Sequence, residues 1–322
     1  ELKRMIEKIK GSNVYQNQKE IDVKISPDGQ KKLCDLIIKK IGLSNDKARL
    51  DESTHPFTTS IGNNDVRITT SFKRKGAFFS FFSTVHEAGH GLYELNMPKE
   101  KYKNTVISNS PSLGLHESQS RFWENMIARR VEFWKYFYPE FVKIYSNIKK
   151  IDFESWYRNV NLVKPSLIRV EADELTYCLH VILRFELELE IMEDKIDISD
   201  LPELWSEKMH DMLDIKPKTD VEGVLQDMHW SGGNIGYFPT YAIGSIYSSQ
   251  LFNKISSKNK GIFSEIENAE FDNIVKWLND NIHKYGRMYT ADEIIKKCCG
   301  EGLNSKIFVD YLKDKYYPLY EL

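Results

Sequence analysis

Cysteine is scarce in this chain. There are four in 322 residues, at 34, 178, 298 and 299. None has the CxxC spacing of a zinc knuckle and two are adjacent, which excludes a convincing disulfide framework. A reducing compartment, the cytoplasm, is the expected setting. Long apolar runs are missing as well. The longest uncharged one, GAFFSFFSTV, is about half of what a membrane span needs. The N-terminus carries no charged-then-apolar signal pattern, so a soluble protein without a membrane partner is expected. Neither sign of charge dominates: 45 Lys plus Arg stand against 47 Asp plus Glu, for a net −2. The two signs are interspersed, which excludes the basic footprint of a nucleic-acid binder. Gly (17) and Pro (10) are scattered rather than pooled, and no repeat or low-complexity tract marks a linker, so residues 1–322 read as a single domain. The chain opens on Glu1 rather than Met, and a piece of something longer is the expectation.

What is abundant is helical periodicity. QKKLCDLIIKKIGL, ESQSRFWENMIARRVEFWKYF, SLIRVEADELTYCLHVILRFELELEIM, FPTYAIGSIYSSQLF, FDNIVKWLNDNI and NSKIFVDYLKDKY all repeat apolar residues at three and four. The fold class is mainly α. The exception is HPFTTSIGNNDVRITTSF, where β-branched and aromatic residues flank Gly62, Asn63 and Asn64; this predicts two short strands joined by a turn, a small β-ribbon.

Directly after that ribbon comes TVHEAGHGLYEL, with His86 and His90 four apart around Glu87. On a helix, positions i and i+4 share a face, so both imidazoles can reach one ion at about 2.0–2.1 Å. Glu87 then sits beside the ion without ligating it, placed to take a proton from water. A third ligand is required. Glu94 is eight residues from His86, about 12 Å along the axis at 1.5 Å per residue, so it cannot share the ion. The HExxHxxGxxH arrangement is excluded, because Tyr93 and Asn96 occupy the Gly and His positions. A carboxylate from a second helix remains. Glu117 in GLHESQSRFWEN is the nearest good candidate; the competing reading is a first-turn acid complementing a helix dipole.

Five motifs in order now carry a specific resemblance: DVRIT at 65–69, HEAGH at 86–90, HESQ at 116–119, IRVEAD at 168–173 and GVLQDMHW at 223–230, continuing into YFPTY. The chain resembles the carboxypeptidase Taq family of zinc metallocarboxypeptidases. The resemblance implies a helical metallopeptidase fold around a deep substrate groove, zinc or cobalt as the ion, homodimers, and removal of C-terminal residues from peptides with a free C-terminus. It makes His86, His90 and Glu117 the ligands and Glu87 the general base. Members are longer, and the segment absent here is expected to be an N-terminal helical region that helps to wall the groove. The GAFFSFFSTV run is expected to pack less well without it and to favour association.

A carboxypeptidase must recognise a terminal carboxylate, which a guanidinium fork binds bidentately. Arg169 in IRVEAD is the candidate, against a pairing with Asp173 at i+4 that the residues alone favour. Arg67 reads instead as a brace between Asp65 and Thr69. His229, Tyr237 and Tyr241, on the Gly-rich run DMHWSGGNIGYFPTY, are the candidate donors to the developing oxyanion, on position and resemblance. His116 is assigned to substrate binding, against satisfaction of a backbone carbonyl. Glu94, Asp65 and Glu124 are all candidates to orient the metal-bound histidines. Two rival readings remain: a helical oligopeptidase that cuts inside short peptides, and a catalytically idle peptide-binding fragment.

Overall fold

The computed structural model describes residues 1–43, 46–72 and 77–322, and 61% of the chain is helical beside one small sheet. In chain order the helices are α1 (Leu2–Lys10), α2 (Asn13–Asn17), α3 (Pro27–Ile41), α4 (Ala77–Asn96), α5 (Leu113–Arg121), α6 (Val131–Ile144) and α7 (Phe153–Val160). Then follow α8 (Tyr177–Met192), α9 (Leu201–Leu213), α10 (Pro239–Lys258), α11 (Ile262–Glu267), α12 (Asp272–Asn281), α13 (Ala291–Cys299) and α14 (Ser305–Leu319). The strands are β1 (Ala48–Glu52), β2 (Thr58–Gly62) and β3 (Asp65–Thr70). Contacts divide the chain into two compact units, a first made of residues 1–19, 161–243 and 308–322, and a second made of 20–160 and 244–307. Among the described residues no helix is long and apolar enough to cross a membrane.

The second unit is organised around α4. Phe81, Val85, Ala88 and Leu92 recur at helical spacing and are all buried. Phe81 stands 5.1 Å, centroid to centroid, from Phe141, and Trp134 lies 5.3 Å from Phe141 and 5.4 Å from Trp156. Each such ring pair adds about 0.5–1.5 kcal/mol beyond its burial. The run GAFFSFFSTV therefore forms the aromatic core rather than the expected exposed patch; its first residue, Gly76, lies outside the described residues. The opposite side of α4 carries the sheet, where Val66 and Ile68 of β3 are fully buried. The ribbon forms as expected, β2 antiparallel to β3, with Gly62 facing Asp65.

β1 was not expected. Its sequence, ARLDE, has no strand pattern of its own and becomes a strand by pairing parallel to β3, Ala48 opposite Val66. Two long helical patterns also break. The first is interrupted by a π-turn over Phe122–Ile127, where Ala128 N–H bonds back to the Trp123 carbonyl, before α6 restarts. In the second, only Tyr177–Met192 is α-helical, because Asp173 turns the chain: its carboxylate accepts from the backbone N–H groups of Lys164, Leu175 and Thr176.

In the first unit, α8 buries Leu179, Leu183 and Leu187, and α9 buries Trp205, Met209 and Leu213, each set at a spacing of four. Buried Glu174 collects Tyr311, Lys315 and Tyr316 from α14.

Candidate metal centre

His86 and His90 lie one turn apart on α4, as their spacing requires. Glu117 comes from α5, whose start is fixed by Ser112 accepting from Leu115 N–H. Two glycines let the helices approach closely. A Cβ built on Gly89 would stand 2.6 Å from the Gln119 carbonyl oxygen and 2.7 Å from Ser120 Cα, and one on Gly244 would stand 2.5 Å from Glu117 Cγ. Glu117 is therefore held with α4 on one side and α10 on the other.

The donor atoms converge. His86 Nε2 and His90 Nε2 are 3.7 and 3.4 Å from Glu117 Oε2, and one ligand atom from each residue falls within 4.8 Å of the others. Bonds of about 2.0–2.1 Å in a tetrahedron separate ligand atoms by about 3.4 Å, so the set fits a divalent ion. The remaining valences are used elsewhere. Arg121 donates to Glu117 Oε1 (2.8 Å) and to Glu124 Oε2 (3.2 Å), and Glu124 Oε2 also meets His86 Nδ1 at 2.8 Å. Burial alone would raise both carboxyls. The cations around them win: His86 and Arg121 hold Glu117 well below the usual carboxylate range, and Arg121 and His86 hold Glu124 at about 2. Burial drives the His90 pKa down.

Glu87 lies beside this group on α4, 7% exposed. Thr58 of β2 donates to its carboxylate, Oγ1 to Oε2 at 2.6 Å. Of the three candidates to orient a histidine, Glu124 holds His86. Glu94 acts one residue further out, through His116, and Asp65 pairs with Arg67, the brace expected there. His116 Nδ1 faces His90 Nδ1 at 2.6 Å and its Nε2 meets Glu94 at 2.9 Å. Both ring nitrogens are thereby engaged by protein.

The other expected residues cluster in the first unit. Arg169 is buried, and Asp173, its partner in the competing reading, is occupied at the α8 start. Instead its Nε and Nη2 both donate to Asp227 Oδ1 (3.1 and 2.7 Å) and its Nη1 to Tyr177 (3.0 Å). Arg184 donates to Asp227 Oδ2 at 2.6 Å. Burial pushes the Asp227 carboxyl up, but Arg169 and Arg184 outweigh it and hold it at about 2. His229 shares a hydrogen bond with Tyr241 (2.9 Å) and stands 5.1 Å from the Tyr237 ring; burial, then the Arg169 charge, lower its pKa.

Sequence reasoning missed Thr58, Arg121 and Asp227. Arg121 was readable, four residues after Glu117 and three before Glu124, a spacing that brings helical side chains together. Thr58 acts across a tertiary contact and left no local signal; Asp227 stands inside the GVLQDMHW motif, but its partners Arg169 and Arg184 lie 58 and 43 residues away.

The family model described as carboxypeptidase Taq (M32) metallopeptidase matches residues 1–316. The chain belongs to the carboxypeptidase Taq family. Within it, the chain is similar to carboxypeptidase 1 of Bacillus subtilis, 42% identical over 294 residues that cover 91% of this chain and 58% of the relative. It is 44% identical over 281 residues to thermostable carboxypeptidase 1 of Pyrococcus furiosus, covering 87% of this chain and 56% of that one. Among solved structures, the M32 carboxypeptidase from Deinococcus radiodurans R1 superposes with a TM-score of 0.94 at 34% identity, over 100% of this chain and 65% of its own. The chain thus spans less than two thirds of the length of these carboxypeptidase Taq relatives.

Proposed function

We propose that residues 1–322 act as one metallocarboxypeptidase domain that removes C-terminal residues from peptides with a free C-terminus. The observation that carries this reading is the convergence of His86, His90 and Glu117 within 4.8 Å, beside Glu87 on the helix of the two histidines. Two nitrogens and one oxygen suit zinc, with cobalt as the alternative. An ion held there supplies Lewis acidity, acidifying water and polarising the scissile carbonyl.

The side chains do the rest. Glu87, aimed by Thr58, takes a proton from water as the water oxygen bonds to the carbonyl carbon. The C–N bond then breaks, and Glu87 returns that proton to the departing amine. His229, Tyr237 and Tyr241 donate to the developing oxyanion. Arg169, oriented by Asp227 and Tyr177, binds the terminal carboxylate. The family resemblance supports a homodimer, and four unbridged cysteines, three of them buried, support a cytoplasmic setting.

The test compares one peptide as free acid and as amide. The acid should be cleaved and the amide nearly inert. Arg169→Lys should lower kcat/KM on the acid about 10- to 100-fold, the range of a lost charge-assisted fork, and change the amide little. Equal cleavage of both forms would return the endopeptidase reading. No turnover of either form with the ion bound would favour the idle peptide-binding reading.

A further inference from the structure

The two metal-facing histidines are held from behind by different chemistry. His86 Nδ1 meets a carboxylate, Glu124, at 2.8 Å. His90 Nδ1 meets another imidazole, His116, at 2.6 Å; His116 Nε2 then meets Glu94 Oε1 at 2.9 Å. Lys99 donates to the other Glu94 oxygen and to Ser60 Oγ at 2.7 Å.

We propose that His116 is a positioning residue that locks His90 in the one tautomer able to ligate, with Glu94 and Lys99 fixing His116 in turn. This rests on the metal-centre reading above. The constraint starts at the lysine and passes inward. Glu94 is ion-paired with Lys99, and a carboxylate only accepts. His116 Nε2 must therefore carry the hydrogen. With that N–H spent on Glu94, His116 presents Nδ1 to His90 as an acceptor. Two facing ring nitrogens need one hydrogen between them, which His90 Nδ1 must supply. That leaves the lone pair of His90 on Nε2, the atom 3.4 Å from Glu117 Oε2. The opposite assignment would put the hydrogen of His90 on Nε2 and block ligation.

The two supports also differ in charge. A carboxylate behind an imidazole raises its basicity as a ligand, whereas a neutral histidine orients its neighbour without adding charge. Behind His116, the charge of Glu94 is offset by Lys99. His86 draws on Glu124, whose charge Arg121 offsets. His116 thus secures the direction of His90 rather than its donor strength.

The test measures zinc and cobalt affinity of the whole 322-residue chain by competition with a chromophoric chelator, beside thermal unfolding in chelator. His116→Ala should weaken both ions by about 10- to 100-fold. His116→Gln, whose carbonyl oxygen can accept from His90 Nδ1, should recover most of the loss, and His116→Lys, a donor only, should not. Glu94→Gln, which leaves His116 in place but frees its tautomer, should give a smaller loss than His116→Ala. Cobalt absorption should change in His116→Ala and return toward wild type in His116→Gln. Unchanged affinity in His116→Ala would overturn the proposal while leaving the metal centre intact. Equal weakening of the Ala and Gln variants together with equally lowered unfolding temperatures would reduce His116 to a packing residue. A loss confined to KM for peptides would make it a substrate contact. Failure of the wild-type chain to bind either ion would overturn the metal reading, and this inference with it.

Discussion

The two polar clusters, one in each unit, use their charges in opposite ways. In the second unit Arg121 takes only one oxygen of Glu117, and the other points with two imidazole nitrogens toward a shared centre. In the first unit both oxygens of Asp227 are taken, one by Arg169 and one by Arg184. Both clusters are buried and both depress a carboxyl pKa, so burial and electrostatics alone would not tell them apart. Convergence does. Donor atoms that meet at one point at ligand spacing are arranged for something from outside. Charges that close on each other fix a side chain in place, and at Asp227 one of the side chains so fixed is Arg169.

The largest effect expected from this contrast is on Glu87→Gln, which keeps the shape and the Thr58 contact but cannot take a proton. Its kcat should fall by at least about 10²- to 10⁴-fold, with metal content unchanged by elemental analysis. Near-wild-type turnover with the ion bound would remove Glu87 as the base. Next comes Asp227→Asn, which strands two buried guanidinium groups and should lower the free energy of unfolding in denaturant by about 3–5 kcal/mol. Its chelator-measured metal affinity should match wild type, because the contrast makes the closed cluster independent of the converging one; a matching loss of affinity would break the comparison. Glu117→Gln reverses this pattern: affinity should fall by at least about 100-fold, roughly 2.7 kcal/mol, while unfolding in chelator shifts less than in Asp227→Asn, since Arg121 retains Glu124.

The smallest effect is on pH dependence. Asp227 is held at about 2, below its ordinary 3.8. A depressed carboxyl contributes stability that is full above the unfolded value and is lost as pH falls through the folded one. That contribution, about 2 kcal/mol, should be present at pH 5 and disappear between roughly pH 4 and 2. The stability gap between wild type and Asp227→Asn should narrow over that window. A gap that stays constant would mean that Asp227 does not titrate as proposed.

The motif helix and the ribbon were legible in the sequence alone, because periodicity and turn chemistry are local. The need for a ligand from a second helix was also legible, since Glu94 is too far along its own helix to serve. Choosing among Glu94, Asp65 and Glu124 was not, because they lie on α4, on β3 and in the π-turn after α5, and only tertiary packing decides which of them meets a histidine. Thr58 reaches Glu87 only after β2 has folded onto α4, 29 residues away in sequence. The competing pairing of Arg169 with Asp173 rested on helical spacing, and it fails because α8 does not extend backwards past Asp173. β1 was invisible because its strand character lies in its partner.

HExxH is customarily written with two blank positions. Here neither is blank. Ala88 is fully buried and faces the core, and Gly89 leaves room for the Gln119–Ser120 backbone to cross at a distance that any side chain would forbid. The spelling HEAGH thus records more than a pair of ligands and a base. Its fourth letter carries the address of the third ligand: a neighbouring helix close enough to place a glutamate over both histidines. A chain with the same histidines and a bulky residue in that place would have to bring its remaining ligand in along another path. The letter ordinarily skipped when reading such a pattern therefore tells one architecture from another.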